Sequence, residues 1–175
     1  MGTIGGDELG RLFDAIAPAL VLYARQWSDR QGAEDAVQEA FLSLARQAEP
    51  PEHPSAWLYQ VVRNGLISSA RSRKRSKDRE VRSSRTEAWF SAVDDRIDAQ
   101  QAAQSLAELE PECREVIVAR IWGGLTFDQI ARLQGCSLTT AHRRYQAGLS
   151  QLHERLERPC TTHEAITTPE SRPNR

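Results

Sequence analysis

Cysteine is scarce: only Cys113, Cys136 and Cys160 occur in 175 residues, too widely spaced for a disulfide framework or a zinc-ligand pattern. They read as buried or inert thiols of a reducing compartment. His142 follows Cys136 by six residues, and two candidate ligands do not make a metal site. No apolar run approaches the ~20 residues needed to cross a bilayer. The opening MGTIGGDELG has no basic segment ahead of an apolar core, so it does not read as a secretory signal. Catalytic patterns are missing too. The chain has no Gly-rich phosphate loop, no HExxH pair and no nucleophile beside a plausible base. Its aspartates and glutamates stand where helix faces and caps explain them. The expectation is a cytoplasmic protein that is not an enzyme and takes no cofactor or metal.

What the chain does have is segregated charge. The net charge of −1 hides alternating blocks. Residues 1–60 carry four basic and nine acidic side chains, whereas residues 61–85 carry nine basic and two acidic ones. Residues 86–118 return to two basic and eight acidic, and residues 119–158 to six basic and three acidic. Such blocks can offer a basic surface to nucleic acid and an acidic one to a protein. Near-neutrality therefore does not exclude DNA.

Strand signals are few and helical periods run throughout, so the fold class is all-α. Leu9, Leu12, Phe13, Ile16, Leu20, Tyr23 and Trp27 mark a first helix, with Pro18 expected to bend it. Val37, Ala40, Phe41 and Leu44 mark a second, starting near Ala33, with Glu34 and Asp35 in its first turn. The proline-rich QAEPPEHP at 47–54 is a loop. A third helix starts near Ser55 and runs through Trp57, Leu58, Val61, Val62 and Leu66 into the basic block. These define a first helical domain at 7–76, followed by a polar linker at 77–97 containing Trp89 and Phe90. A second domain at 98–158 opens with a helix capped by Asp98, then one led by Pro111 that ends at Gly123 and Gly124. The Thr/Pro-rich tail at 159–175 has little to bury and reads as disordered.

The richest stretch is TFDQIARLQGCSLTTAHRRYQAGLSQLHERL, residues 126–156. Thr126 and Gln129 form a capping box at the start of a short helix. Gln134, Gly135 and Cys136 form the turn, with Gly135 expected at positive φ. Ser137 caps a second helix. Its apolar stripe reads Leu138, Ala141, Tyr145, Leu149, Leu152 and Leu156, and its polar face Thr139, Thr140, His142, Arg143 and Gln146, with Arg144 at the margin. This is the layout of a helix-turn-helix whose second helix enters the DNA major groove. A merely solvated basic face would show the same periodicity without the caps and the turn glycine.

Four segments in order carry a resemblance: AEDAVQEAFLSLAR (33–46), AWLYQVVRNGLISSARSRKR (56–75), LAELEPECREVIVARIWGGLTFDQIA (106–131) and SLTTAHRRYQAGLSQL (137–152). Together they resemble regions two and four of the extracytoplasmic-function class of bacterial RNA polymerase sigma factors. The match covers residues 7–156. It implies an all-α fold of two small domains joined by a flexible linker. Its partners would be core RNA polymerase (clamp and flap regions), promoter DNA and an anti-sigma factor.

The resemblance also distributes roles. It places Asp35, Gln38, Glu39 and Leu42 on a face that docks the polymerase. Tyr59, Arg63, Asn64, Arg71, Arg73, Lys74 and Arg75 would serve the −10 element and strand melting. The arginines and lysine are suited to phosphates. Tyr59 would stack on an unpaired base, whereas Trp57, on the apolar stripe, belongs to the core. Asn64 has two readings, a base edge or a local cap. Thr126, Ser137, Thr139, Thr140, His142, Arg143, Arg144 and Gln146 would serve the −35 element, the arginines through guanine O6 and N7 or through phosphate. Departures from the family are local. Ala141, His142 and Arg143 stand where relatives often carry valine, lysine and a small residue, the 47–54 loop is short, and the tail has no counterpart in the minimal family pattern. The competing reading is a stand-alone helix-turn-helix regulator that binds duplex DNA without polymerase.

Overall fold

The computed structural model describes residues 3–76 and 104–156, with residues 70–76 described by backbone alone. The linker at 77–97 with Trp89 and Phe90, the Asp98 cap, Cys160 and the tail at 159–175 lie outside the described residues. Among the described residues there are helices and no strand: α1 (Gly6–Ala24), α2 (Arg30–Ala45), α3 (Pro54–Ser76), α4 (Pro111–Ile121), α5 (Phe127–Gln134) and α6 (Leu138–Leu156). A helical turn at 104–107 precedes α4. No described helix is long and apolar enough to cross a membrane.

Local chemistry sets most boundaries. α1 tolerates Pro18 in its interior and ends at Ala24, so Trp27 packs on the core from beyond the helix. α2 begins three residues before the expected Ala33 because the Asp29 carboxylate accepts the Gly32 amide at 2.9 Å. Glu34 is thereby moved out of the first turn and accepts from Arg30 Nε at 2.8 Å. Pro54 opens α3, and Pro111 opens α4, where a missing N–H costs nothing. At α5 the capping box forms in both directions: the Gln129 amide donates to Thr126 Oγ1 at 3.2 Å, and the Thr126 amide donates to Gln129 Oε1 at 2.9 Å.

Gly135 ends α5 at φ 66° and ψ 39°, the left-handed region that β-carbon sterics deny to most residues. Gly135→Ala is expected to lower stability by roughly 1–2 kcal/mol. A urea midpoint unchanged by the substitution would show that the turn does not depend on that backbone state.

α1, α2 and α3 pack around Leu20, Tyr23, Val37, Phe41, Leu44, Leu58 and Val62. α4, α5 and α6 pack around Val116, Ile117, Leu125, Ile130, Leu133 and Ala141. α1 also touches α4, and α3 touches α5, so the buried apolar residues of both halves form one cluster.

The buried side of α6 differs from the stripe read from sequence. Leu138, Leu149 and Leu156 are exposed, while Ala141 and Gly148 are buried and Tyr145 and Leu152 are partly covered. Gly148 sets this rotation. A β-carbon there would lie 2.6 Å from Ile117 Cδ1 and 3.3 Å from Cys113 Cβ, so α6 approaches α4 through its glycine. Burial pushes the Cys113 thiol pKa up, which suits an unreactive core cysteine.

Candidate nucleic-acid and polymerase surfaces

The tip of α6 is built from its caps. Ser137 Oγ accepts the Thr140 amide at 3.1 Å and lies 2.8 Å from Thr140 Oγ1, so both hydroxyls face each other at the N-terminus. Thr139, His142, Arg143 and Gln146 follow at spacings of three and four, and all are exposed. They form one polar stripe on the side of α6 turned away from its buried glycine. The His142 ring also leans edge-on against Phe127 with centroids 5.0 Å apart, and Phe127 meets Tyr145 at 5.3 Å. Phe127 therefore braces α6 from α5. Thr126 is exposed, with its hydroxyl engaged in the capping box.

Arg144 does not join this stripe. It is half-buried, and its Nη1 donates to Gln134 Oε1 at 2.9 Å. The helical period that exposes Arg143 turns its neighbour toward α5.

The acidic face of α2 is as expected in layout. Asp35, Gln38, Glu39 and Leu42 recur at three and four residues and are all exposed, Leu42 by 50%. Asp35 accepts from Gln31 Nε2 at 3.0 Å, and Glu39 lies 3.7 Å from Arg46 Nη1. Both contacts are at the surface, where such pairs hold a side chain only weakly. Phe41, one residue before Leu42, is 5% exposed and meets Phe13 edge-on at 4.9 Å.

On α3 the assignments divide. Asn64 is exposed and accepts from Gln60 Nε2 at 3.1 Å, which is a local contact along one helix face. Arg71, Arg73, Lys74 and Arg75 lie on helical backbone, and their side chains are outside the described residues. Tyr59 is corrected. It is fully buried, with its ring 4.7 Å from that of Tyr23, so it is not poised to stack on a base. Trp57, expected in the core, is only partly covered. The two residues share an apolar helix, and periodicity alone does not say which of its sides meets the second half of the molecule.

Arg63 is also committed. Its Nε donates to Glu115 Oε1 at 2.7 Å. Burial alone pulls the guanidinium pKa down, but the hydrogen bond and charge of Glu115 outweigh it and the net shift is upward. Tyr23 donates to the same oxygen at 2.6 Å, and burial followed by the neighbouring carboxylate raises its pKa well above the phenolic range. Gln134 Nε2 donates to Glu115 Oε2 at 3.0 Å and to the Glu112 carbonyl at 3.0 Å. Sequence reading missed Glu115. Its signal is a carboxylate directly before Val116 and Ile117, where helical packing leaves it inside.

The family model for Sigma-70 region 2 matches residues 12–76, and that for Sigma-70, region 4, matches residues 99–152. The chain is 30% identical over 157 residues to RNA polymerase sigma factor CarQ of Myxococcus xanthus, covering 86% of this chain and 90% of that protein. Its fold is similar to the sigma factor RpoE of Bartonella quintana, solved in complex with the anti-sigma factor NepR. That likeness has a TM-score of 0.70 and 26% identity, covering 87% of this chain and 99% of that one. CnrH, solved with the cytosolic domain of CnrY, shares the fold at a TM-score of 0.57 and 21% identity, over 87% of this chain and 89% of that one. The chain belongs to the extracytoplasmic-function class of the sigma-70 family of RNA polymerase sigma factors.

Proposed function

We propose that this chain is a cytoplasmic, non-catalytic initiation subunit that binds core RNA polymerase, selects promoters and helps separate their strands. The observation that carries the reading is the exposed stripe Thr139, His142, Arg143 and Gln146 on a second helix capped by Ser137. A guanidinium, an amide and a hydroxyl at that spacing suit base edges in the major groove, and the helix N-terminus suits phosphate. The α2 face of Asp35, Gln38, Glu39 and Leu42 pairs acidic and amide groups with one exposed leucine, the chemistry of a docking patch for a basic protein surface. The basic end of α3, with Arg71, Arg73, Lys74 and Arg75, is assigned to phosphates of the melted strand. The likeness to RpoE, seen with its anti-sigma factor, supports a regulatory partner of that kind here.

A promoter chosen from a randomised library in transcription with core polymerase provides the template for the test. Neutralising Arg71, Arg73 and Lys74 to alanine should impair opening more than recruitment. Separated strands need a charged groove once pairing is lost, whereas the closed complex rests on α6 and the polymerase. Losing three phosphate contacts should flatten the slope of log affinity against log salt by roughly 2 on single-stranded DNA. Permanganate footprinting reads the opening, and a pre-melted template should restore activity. If the chain alone holds duplex promoter at nanomolar affinity and these changes leave opening untouched, the stand-alone regulator is the correct reading.

A further inference from the structure

Three side chains from two helices converge on Phe127, the first residue of α5. The capping box between Thr126 and Gln129 fixes the backbone at that point. From α4, the Arg120 guanidinium carbon lies 5.0 Å from the centroid of the Phe127 ring, and Arg120 Nη1 donates to the Leu125 carbonyl at 2.8 Å. The cation that covers the ring is thus tied to the chain just ahead of it, a favourable pairing of charge with an aromatic face. From α6, Tyr145 meets the ring at 71° with centroids 5.3 Å apart. Phe127 is itself partly covered, so its ring has little freedom to turn. His142 leans on it at 63° with centroids 5.0 Å apart, yet remains exposed. The outer stripe of α6 therefore includes an imidazole whose orientation is set from another helix.

We propose that Phe127 is a positioning residue for promoter selection: it holds His142 so that the imidazole reads one guanine of the upstream element. The proposal rests on the reading of α6 as the helix that enters the major groove. An exposed side chain that swings freely must be ordered when DNA arrives, and it finds acceptors on several bases. A ring already leaning on Phe127 has lost that freedom in the free protein, so more of its hydrogen bond survives as discrimination. The neutral imidazole offers one N–H donor and one acceptor nitrogen. Guanine sets two acceptors, N7 and O6, side by side on its major-groove edge, so a donor fixed in direction meets one or the other there. Thymine offers one acceptor beside a methyl, adenine flanks its N7 with an amine, and cytosine presents a donor. The fixed N–H therefore ranks guanine first. Phe127 acts only through the ring it supports.

The test uses the full chain assembled with core polymerase, and pairs of competing promoters substituted one upstream position at a time. The readout is the ratio of the two transcripts made in one tube. Loss of folded protein lowers both equally and leaves the ratio unchanged, which separates positioning from plain stability. The wild-type chain should prefer guanine at one position by about fivefold, the scale of one neutral hydrogen bond. His142→Ala should abolish that preference and spare the position read by Arg143. Phe127→Leu should cut it to roughly twofold, because the imidazole is present but its aromatic support is gone. Phe127→Tyr, which keeps the ring, should retain it. In the His142→Ala background, Phe127→Leu should change nothing further at that position. Phe127→Met carries the test if the leucine variant loses helicity by circular dichroism. Full discrimination by Phe127→Leu overturns the positioning role. Equal flattening at the Arg143 position overturns it too, since Phe127 would then support the whole helix. A His142-dependent preference for another base overturns the guanine assignment. If His142→Ala keeps every preference while Arg143→Ala removes one, this proposal falls and α6 remains the reading helix. If neither variant alters any preference, the reading of α6 falls with it.

Discussion

Phe41→Ala is expected to destabilise the first helical unit by about 3–5 kcal/mol, while Leu42→Ala changes stability by less than about 0.5 kcal/mol. The residues are neighbours on α2, yet one is 5% exposed and the other 50%. Removing the Phe41 ring empties a site bounded by Phe13 and the α1–α2 packing, which a helix pair held by Leu44 and Val37 cannot collapse to fill. Leu42 projects into solvent, so its truncation removes little buried area. The functional order should reverse. At a temperature where both variants are folded, Leu42→Ala should weaken capture by core polymerase, and Asp35→Lys with Glu39→Lys should weaken it further. Chemical denaturation reads the first comparison and a pull-down with core polymerase the second. Wild-type assembly by the Leu42 and charge-reversed variants would remove docking from this face of α2.

The second large effect is expected at Arg143. Arg143→Ala should cost ~1–3 kcal/mol of promoter affinity, concentrated on one base position of the upstream element. Arg143 is exposed within the Thr139–Gln146 stripe. Arg144→Ala should behave differently, because its guanidinium is held by Gln134. Its loss should act across promoter variants alike, without a base preference. Competition among promoters mutated one position at a time separates the two outcomes. A uniform loss for Arg143 would make it a phosphate contact, and wild-type activity of both variants on every promoter would count against α6 as the reading helix.

Much of the fold was legible because it is written in local chemistry. The Thr126–Gln129 box, the Gly135 turn, the Ser137 cap and the prolines at 54 and 111 each act within a few residues. Their partners are neighbours in the chain, so composition and spacing suffice. The α2 start was misread because the Asp29 cap lies ahead of the apolar pattern. The α6 stripe was misread because glycine has no side chain for a hydrophobic period to register, yet Gly148 is where α6 meets α4.

By itself, the sequence determined that the chain is helical, that its charge is divided into blocks, and that a capped helix-turn-helix carries a polar outer face. Those properties follow from backbone sterics, capping and periodicity, which depend on residues at most four or so apart. Only the tertiary structure decided that Tyr59 is inside while Trp57 is partly outside, that Arg143 and Arg144 face different surroundings, and that Arg63 meets Glu115 across 52 positions of chain. A helix with apolar and charged residues on several sides is compatible with more than one packing. Which side is covered depends on where a second element comes close enough to exclude water, and here α4 comes against α1, α5 against α3, and the buried Glu115 of α4 receives Arg63.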